Sequence, residues 1–255
     1  MTTVAVIQAR SGSTRFPNKV LADLQGRPML AHVIERVSRA ATVDRVVVAT
    51  TVDPADDEVA ALSAGCGANV SRGPVDDVLT RYLAAAHEHA ADVVVRITAD
   101  CPLTDPVLID AVVHARAEGD GEYATNAEPP TYPDGYDVEA LTSACLERLD
   151  REAQLWYERE HVTARARERP GEFRTVRVTS DRDLSWMRLT VDVPEDLARI
   201  AAVLDALPSH PPPGLAAVTA LVETDPRFRN QVDRPGRDER YRAQRDAARA
   251  KESNE

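Results

Sequence analysis

The sequence predicts an α/β fold: a mostly parallel sheet with helices on both faces. Three observations predict it. Short valine-rich runs such as VVVAT and VVVRIT recur, amphipathic stretches of helix length follow them, and glycine or proline marks the changeovers. Strands that are apolar on both sides belong in a buried parallel sheet, because crossover helices cover both of its faces.

The elements follow in order. TVAVIQ (3–8) predicts the first strand. Pro28 suits the first turn of a helix over PMLAHVIERVSRAA. DRVVVATT (44–51) is a second strand, and DPADDEVAALSAG a helix with acids at its start and Gly65 at its end. ANVSRG is a short strand, DDVLTRYLAAAHEHAA a helix, DVVVRITAD (92–100) the clearest strand, and DPVLIDAVVHARAEG another glycine-ended helix. After residue 120 the pattern changes. EYATNA predicts a short strand, and EPPTYPDGYD (128–137) a loop of the length that is usually functional. Two helical stretches are expected over about 142–168. FRTVRVTS and WMRLTVDV predict two strands, as a hairpin or an inserted pair, and PEDLARIAAVLDALP a helix. From Arg227 onward nine basic and six acidic residues give a local charge of +3. DERYRAQRDAARAKE is polar all round, which fits a frayed helix, a partner-bound helix or disorder.

Composition sets bounds. The chain has 255 residues, 43% of them apolar, and a net charge of -11. Such a surface does not attract nucleic acid or an anionic membrane. No apolar run reaches the ~20 residues of a transmembrane helix. MTTVAVIQAR carries no basic leader followed by an apolar core, so a cytoplasmic protein is expected. Cys66, Cys101 and Cys145 are odd in number, and their spacing suits neither a disulfide framework nor a zinc site.

The opening loop, IQARSGSTRFPNKVL, concentrates small residues and cations just after the first strand. Ligands of open parallel sheets bind beyond the strand C-termini, so the loop lies at the right edge. Gly12 with Ser11, Ser13 and Thr14 lets backbone N–H groups approach an anion, and Arg10, Arg15 and Lys19 supply charge for a polyphosphate. The spacing is that of neither a Walker A loop nor G-x-G-x-x-G. Only two of the 31 basic residues are lysine, and one of them is Lys19. Asp100 and Asp192 each stand where a strand run meets a helix start. Two such carboxylates can share one Mg²⁺. The alternative for each is a cap: Asp100 for the turn before Pro102, Asp192 for the helix at Pro194.

These segments, with RGPVDDVLTRY, RITADCPLTDP, PDGYDVE, EREHVT and RLTVDVPEDL, occur in order over about residues 4–200. Together they resemble the acylneuraminate and CMP-Kdo type cytidylyltransferases, in particular the spore-coat-polysaccharide branch. The resemblance implies a Rossmann-like nucleotidyltransferase domain over 1–226, with an insert at about 123–187 for acceptor binding and dimerisation. A polar tail, 227–255, is left unmatched. CMP would pass from CTP to an acidic sugar, with Mg²⁺ as cofactor and a homodimer as the assembly. Arg10, Lys19 and Asp100 would be catalytic. Ala9, Arg10, Ser11, Gly12, Ser13, Lys19, Arg72 and Asp77 would hold the nucleotide, and Asp100 and Asp192 the metal. Asn126, Asp134, Asp137, Glu139, Arg159 and His161 would face the acceptor, with Arg159 as the cationic receiver. Three alternatives remain open: a phosphonate or other small-acid acceptor, a glycosyltransferase of related fold, and a non-catalytic nucleotide-binding module. Against the glycosyltransferase, neither strand end carries an Asp-x-Asp pair.

Overall fold

Side-chain alternation along the central strands builds two cores, one on each face of a sheet. The computed structural model describes residues 1–169, 171–208, 211–232 and 239–252. Its strands are β1 (Thr3–Gln8), β2 (Asp23–Leu24), β3 (Arg27–Pro28), β4 (Arg45–Thr51), β5 (Asn69–Gly73), β6 (Val93–Thr98), β7 (Tyr123–Thr125), β8 (Glu139–Thr142) and β9 (Thr175–Arg177). On β1, Ala5 and Ile7 enter one core while Val4 and Val6 enter the other. On β4, Val46 and Val48 part from Val47 and Ala49 in the same way. Successive side chains of a strand point to opposite faces, so a run apolar at every position is buried on both.

The helices are α1 (Met29–Val37), α2 (Asp57–Gly65), α3 (Val78–Glu88), α4 (Pro106–Glu118), α5 (Ser143–Glu152), α6 (Trp156–Glu160), α7 (Ala164–Glu168), α8 (Pro194–Asp205), α9 (Leu215–Thr224), α10 (Pro226–Val232) and α11 (Glu239–Glu252). Helices α1, α4, α8 and α9 bury apolar faces on the Ile7 side, and α3 and α5 on the Val6 side. Tyr82 of α3 is fully buried, and its hydroxyl donates 3.2 Å bonds to the carbonyls of Val6 and Ile97. Those bonds tie the helix to both central strands.

Among the described residues the main sheet has the order β5-β4-β1-β6-β8-β7-β9. Strands β5, β4, β1 and β6 run parallel. Strand β8 is antiparallel to both β6 and β7, and β9 is parallel to β7. The chain winds outward from β1 through β4 to β5, then returns to place β6 on the other flank of β1. The strand order therefore reverses between β1 and β6, and the crevice beyond their C-terminal ends is where such sheets bind ligands.

The α/β class and the alternating first half are as the sequence predicts. The second half differs. WMRLTVDV forms no strand; it is extended and touches the 128–137 loop through one bridge, Asp134 with Arg188. FRTVRVTS forms only the short β9, which pairs with β7 and not in a hairpin with the later run. Apolar alternation reports two-sided burial, and loop packing supplies that burial as well as a strand does: Met187, Leu189 and Val191 sit in the core. The 143–168 region holds three helices. The 123–187 region gives β7, β8 and β9 to the main sheet. In the 227–255 stretch Phe228 and Val232 of α10 are core residues, and 233–238 and 253–255 lie outside the described residues. Among the described residues, no helix is long and apolar enough to cross a membrane.

Candidate active site

A cleft of about 400 Å³ opens at the β1/β6 switch point. Its walls carry six cations (Arg10, Arg15, Lys19, Arg96, Arg167, Arg188) and six carboxylates (Asp100, Asp134, Asp137, Glu139, Glu160, Asp192). The cleft is thus formally neutral inside an acidic chain, so a bound polyanion needs additional positive charge to accompany it. Among the described residues, four buried polar atoms on its lining, Gln8 Oε1, Arg96 Nε, Arg188 Nε and Thr190 Oγ1, have no hydrogen-bond partner. A buried unpaired polar atom costs about 1–3 kcal/mol. These atoms therefore mark places where ligand atoms can bond.

The opening loop is closed by its own backbone. Asn18 N–H donates to the Ser11 carbonyl at 2.9 Å, and Asn18 adopts φ 58°, a left-handed conformation asparagine tolerates. A 3-10 turn over Lys19–Leu21 then buries Val20 and aims Lys19 into the cleft. Ser11 N–H donates 2.6 Å to Asp56 Oδ1, and Ser13 N–H 2.8 Å to the Ser11 carbonyl. Those two donors brace the loop and are not presented to a ligand, contrary to expectation. Hydrogen bonds from Ser11 and Thr51 hold the Asp56 carboxyl below its ordinary range, although burial opposes its charge. Gly12 lines the cleft, and a Cβ there would meet nothing within 4 Å. Its backbone stays open to the cleft. Ala9 also lines it and is buried.

At the centre Lys19 Nζ lies 3.1 Å from Asp100 Oδ2, 3.5 Å from Asp192 Oδ1 and 2.8 Å from the Val191 carbonyl. Arg15 reaches the same Asp192 oxygen at 2.8 Å. Burial works against charging Lys19, and the two carboxylates more than offset it, so its pKa lies above the usual lysine value. Burial likewise opposes ionisation of Asp100, and Lys19 with the Thr98 hydroxyl holds it down to about 2. Neither aspartate caps a helix. Asp105 caps α4 through Val107 N–H at 2.8 Å. Asp196, at the third position of α8, accepts the N–H groups of Asp192 and Val193 at 2.9 and 3.1 Å. Two carboxylates facing one point are a donor set that suits a divalent cation. Among the described residues, no cluster of three or more His, Cys, Asp or Glu could hold a metal by protein ligands alone. A cation here would take oxygens from Asp100 and Asp192 and the rest from ligand or water.

Another part of the wall is built from distant elements. Register sets Arg96 of β6 opposite Glu139 of β8, and the two form a buried ion pair. Tyr123 and Thr163 hydroxyls also donate to Glu139. Burial opposes its charge, but Arg96 and these donors hold its pKa below the usual carboxylate value. Arg188 pairs with Asp192 and lies 3.6 Å from Asp134. Asp137 also lines the cleft. His161 Nε2 lies 2.6 Å from Gln244 Oε1, and burial holds the imidazole pKa below its ordinary value.

Five expected site residues are absent from the cleft lining: Ser11, described above, and Arg72, Asp77, Asn126 and Arg159. Arg72 points back to β4, bonding the carbonyls of Thr51 and Asp53 at 2.7 and 2.9 Å and Asp57 at 2.7 Å. Asp77 caps α3 through Thr80 N–H at 2.8 Å and pairs with Arg159. Arg159 also bonds Asp150 at 2.7 Å and Thr80 at 3.0 Å. It joins α3, α5 and α6 and is absent from the cleft wall. Asn126 is fully buried and clamps the 128–137 loop through the Tyr136 carbonyl and Val138 N–H, each at 2.8 Å. The sequence had not singled out Arg96, Arg167, Arg188, Glu160 or Tyr241. Arg96 and Arg188 stood unremarked inside motifs already noted. Tyr241 gave no signal, because the polar tail matched nothing.

Comparison with known proteins agrees with the motif order. The sequence profile described as cytidylyltransferase matches residues 4–220. The spore coat polysaccharide biosynthesis protein SpsF of Bacillus subtilis is 29% identical, over 87% of this chain and 94% of that protein. A 3-deoxy-manno-octulosonate cytidylyltransferase of Anaeromyxobacter dehalogenans is 44% identical over 49% of this chain. This match spans about half the length of that relative, 50%. Among solved structures, a cytidylyltransferase from Leptospira borgpetersenii superposes with a TM-score of 0.86 at 31% identity, covering 92% of this chain and 98% of that one. A CMP:2-keto-3-deoxy-manno-octonic acid synthetase complexed with CTP superposes with a TM-score of 0.63 at 22% identity, covering 81% and 99%, and shows the shared fold.

Proposed function

The chain belongs to the cytidylyltransferase family, and on that premise we propose that it transfers CMP from CTP to an acidic sugar of the nonulosonic or Kdo-like type. Pyrophosphate is the other product. The observation that carries the proposal is Lys19, set between Asp100 and Asp192 at the switch-point crevice.

In this reading an acceptor oxygen attacks the α-phosphorus of CTP. An O–P bond forms, the α–β bridging P–O bond breaks, the electron pair leaves with pyrophosphate, and the acceptor hydroxyl's proton passes to solvent. Such a transfer relies mostly on positioning and charge stabilisation. Arg10 and Lys19 hold the β- and γ-phosphates, and Gly12 offers its open backbone. Asp100 and Asp192 would hold Mg²⁺, which supplies the positive charge that a formally neutral cleft needs to accept a triphosphate. Asp134, Asp137, Glu139 and His161 stay on the acceptor side. Arg72, Asp77, Arg159 and Asn126 brace the walls. The proposal includes a cytoplasmic homodimer joined through the 123–187 region. That region exposes Trp156 on α6, and light scattering tests the assembly.

Calorimetry with CTP, UTP, ATP and GTP, with and without Mg²⁺, tests the nucleotide. A pyrophosphate-release screen over sugar acids and phosphonates tests the acceptor. Metal-dependent preference for CTP and turnover with a sugar acid are expected. Turnover with a phosphonate alone would move the acceptor class. Binding of a nucleotide-sugar without CTP would overturn the reading in favour of a glycosyltransferase.

A further inference from the structure

The C-terminal helix α11 lies beyond the stretch that matches the family, which ends at residue 220, yet it contributes Tyr241 to the cleft wall. Tyr241, Gln244 and Ala248 lie on one helical face at spacings of three and seven. Tyr241 and Ala248 are buried in a small cluster with Tyr157 of α6 and Ala164 of α7. The Tyr241 hydroxyl donates to Glu168, which also accepts from Tyr157 at 2.7 Å. Its ring meets the His161 ring edge-on, with centroids 4.9 Å apart at 87°. Gln244 reaches His161 at 2.6 Å. The Arg167 guanidinium stands 4.9 Å over the Tyr241 ring centroid, within cation–π range. Helices α6 and α7 have five residues each, too few to hold their shape without packing. The tail helix supplies part of that packing.

We propose that α11 is a wall of the acceptor site and that Tyr241, carrying Arg167 on its ring face, determines which carboxylate-bearing acceptor is taken. Arg167, whose Nε also lies 3.4 Å from Glu128 Oε2, lines the cleft as Arg159 does not and receives the acceptor carboxylate. A planar guanidinium suits bidentate capture of a carboxylate, and the ring beneath it restricts where that fork can sit. Tyr241 is a positioning residue. This inference rests on the cytidylyltransferase reading with an acidic acceptor.

The test uses the full chain with Tyr241→Ala, Tyr241→Phe and Arg167→Lys. Pyrophosphate release is measured with 3-deoxy-manno-octulosonate, N-acetylneuraminate and simpler sugar acids, and CTP binding by calorimetry. Tyr241→Ala and Arg167→Lys should raise the acceptor KM by roughly tenfold or more, with kcat and CTP affinity changed by no more than about twofold. Tyr241→Phe keeps the ring and should stay near wild type. Retained CTP affinity shows that the rest of the cleft is folded. An unchanged acceptor KM in Tyr241→Ala and Arg167→Lys overturns the inference and leaves the cytidylyltransferase reading standing. A parallel loss of CTP affinity in Arg167→Lys also overturns it, since Arg167 would then serve the nucleotide. Failure of every sugar acid with wild-type protein that binds CTP overturns the acidic-sugar reading, and this inference with it.

Discussion

On one part of the cleft wall Lys19 faces Asp100 and Asp192, whose side chains are 30% and 23% exposed; on another Arg96 faces Glu139, which is 3% exposed. The first set can exchange partners, because water and a polyanion can replace each contact. The second cannot, because removing either partner strands a charge away from water. The Lys19 set therefore holds charges that a ligand can redistribute. The Arg96–Glu139 set holds a fixed charge pair on the cleft wall.

The largest expected effect separates the two sets by function. Lys19→Ala and Asp100→Ala should each lower kcat/KM by about 10³-fold or more, with the circular dichroism spectrum little changed. Wild-type-like pyrophosphate release in either variant would remove the Lys19 set from the reaction. The next effect is on folding. Glu139→Ala leaves Arg96 buried without its counter-charge and should cost about 3–5 kcal/mol in urea denaturation. A loss near zero would show that water reaches this pair and that the contrast between the two sets is false.

A smaller effect concerns residues outside the cleft. Arg159→Ala breaks part-exposed pairs with Asp77 and Asp150 and should cost about 1 kcal/mol of stability, with the acceptor KM unchanged. A selective rise in that KM would return Arg159 to the site. The smallest effect is with pH. His161 has a folded pKa below its ordinary 6.5, because burial disfavours the imidazolium. Below pH 6.5 the unfolded chain binds this proton more readily. Stability from this group is therefore full above 6.5 and is lost as pH falls toward the lowered folded value. Glu139 and Asp100 act lower on the scale. Their folded pKa values are depressed, so their contribution is present above the ordinary carboxylate values of 4.5 and 3.8 and is lost in strong acid. Protection of the α11 amides, the intrinsic exchange rate at each pH divided by the observed one, should therefore fall between pH 6.5 and 5, and His161→Gln should flatten that change. A pH-independent protection in the wild type would count against His161 as an anchor of α11.

Local chemistry determined much of this. Strands that alternate between two buried faces can be read residue by residue, so β1, β4 and β6 and the helices between them were legible. So was the opening loop, whose cations and small residues lie within a dozen positions of one another. The aspartates that meet Lys19 were legible as acids closing apolar runs, though only Asp100 follows a strand and the sequence left open whether Asp100 capped a turn and Asp192 a helix. Tertiary structure answered that, because Asp105 and Asp196 do the capping and leave Asp100 and Asp192 facing the cleft. It also drew Arg159 away from the cleft wall, tied down both Ser11 and Ser13 N–H, and brought Tyr241 alongside His161 across 80 positions of chain. The reason is range. A periodic pattern records what a residue's own neighbours must do, whereas ion-pair partners and cleft walls are chosen among side chains that only folding brings within a few ångströms.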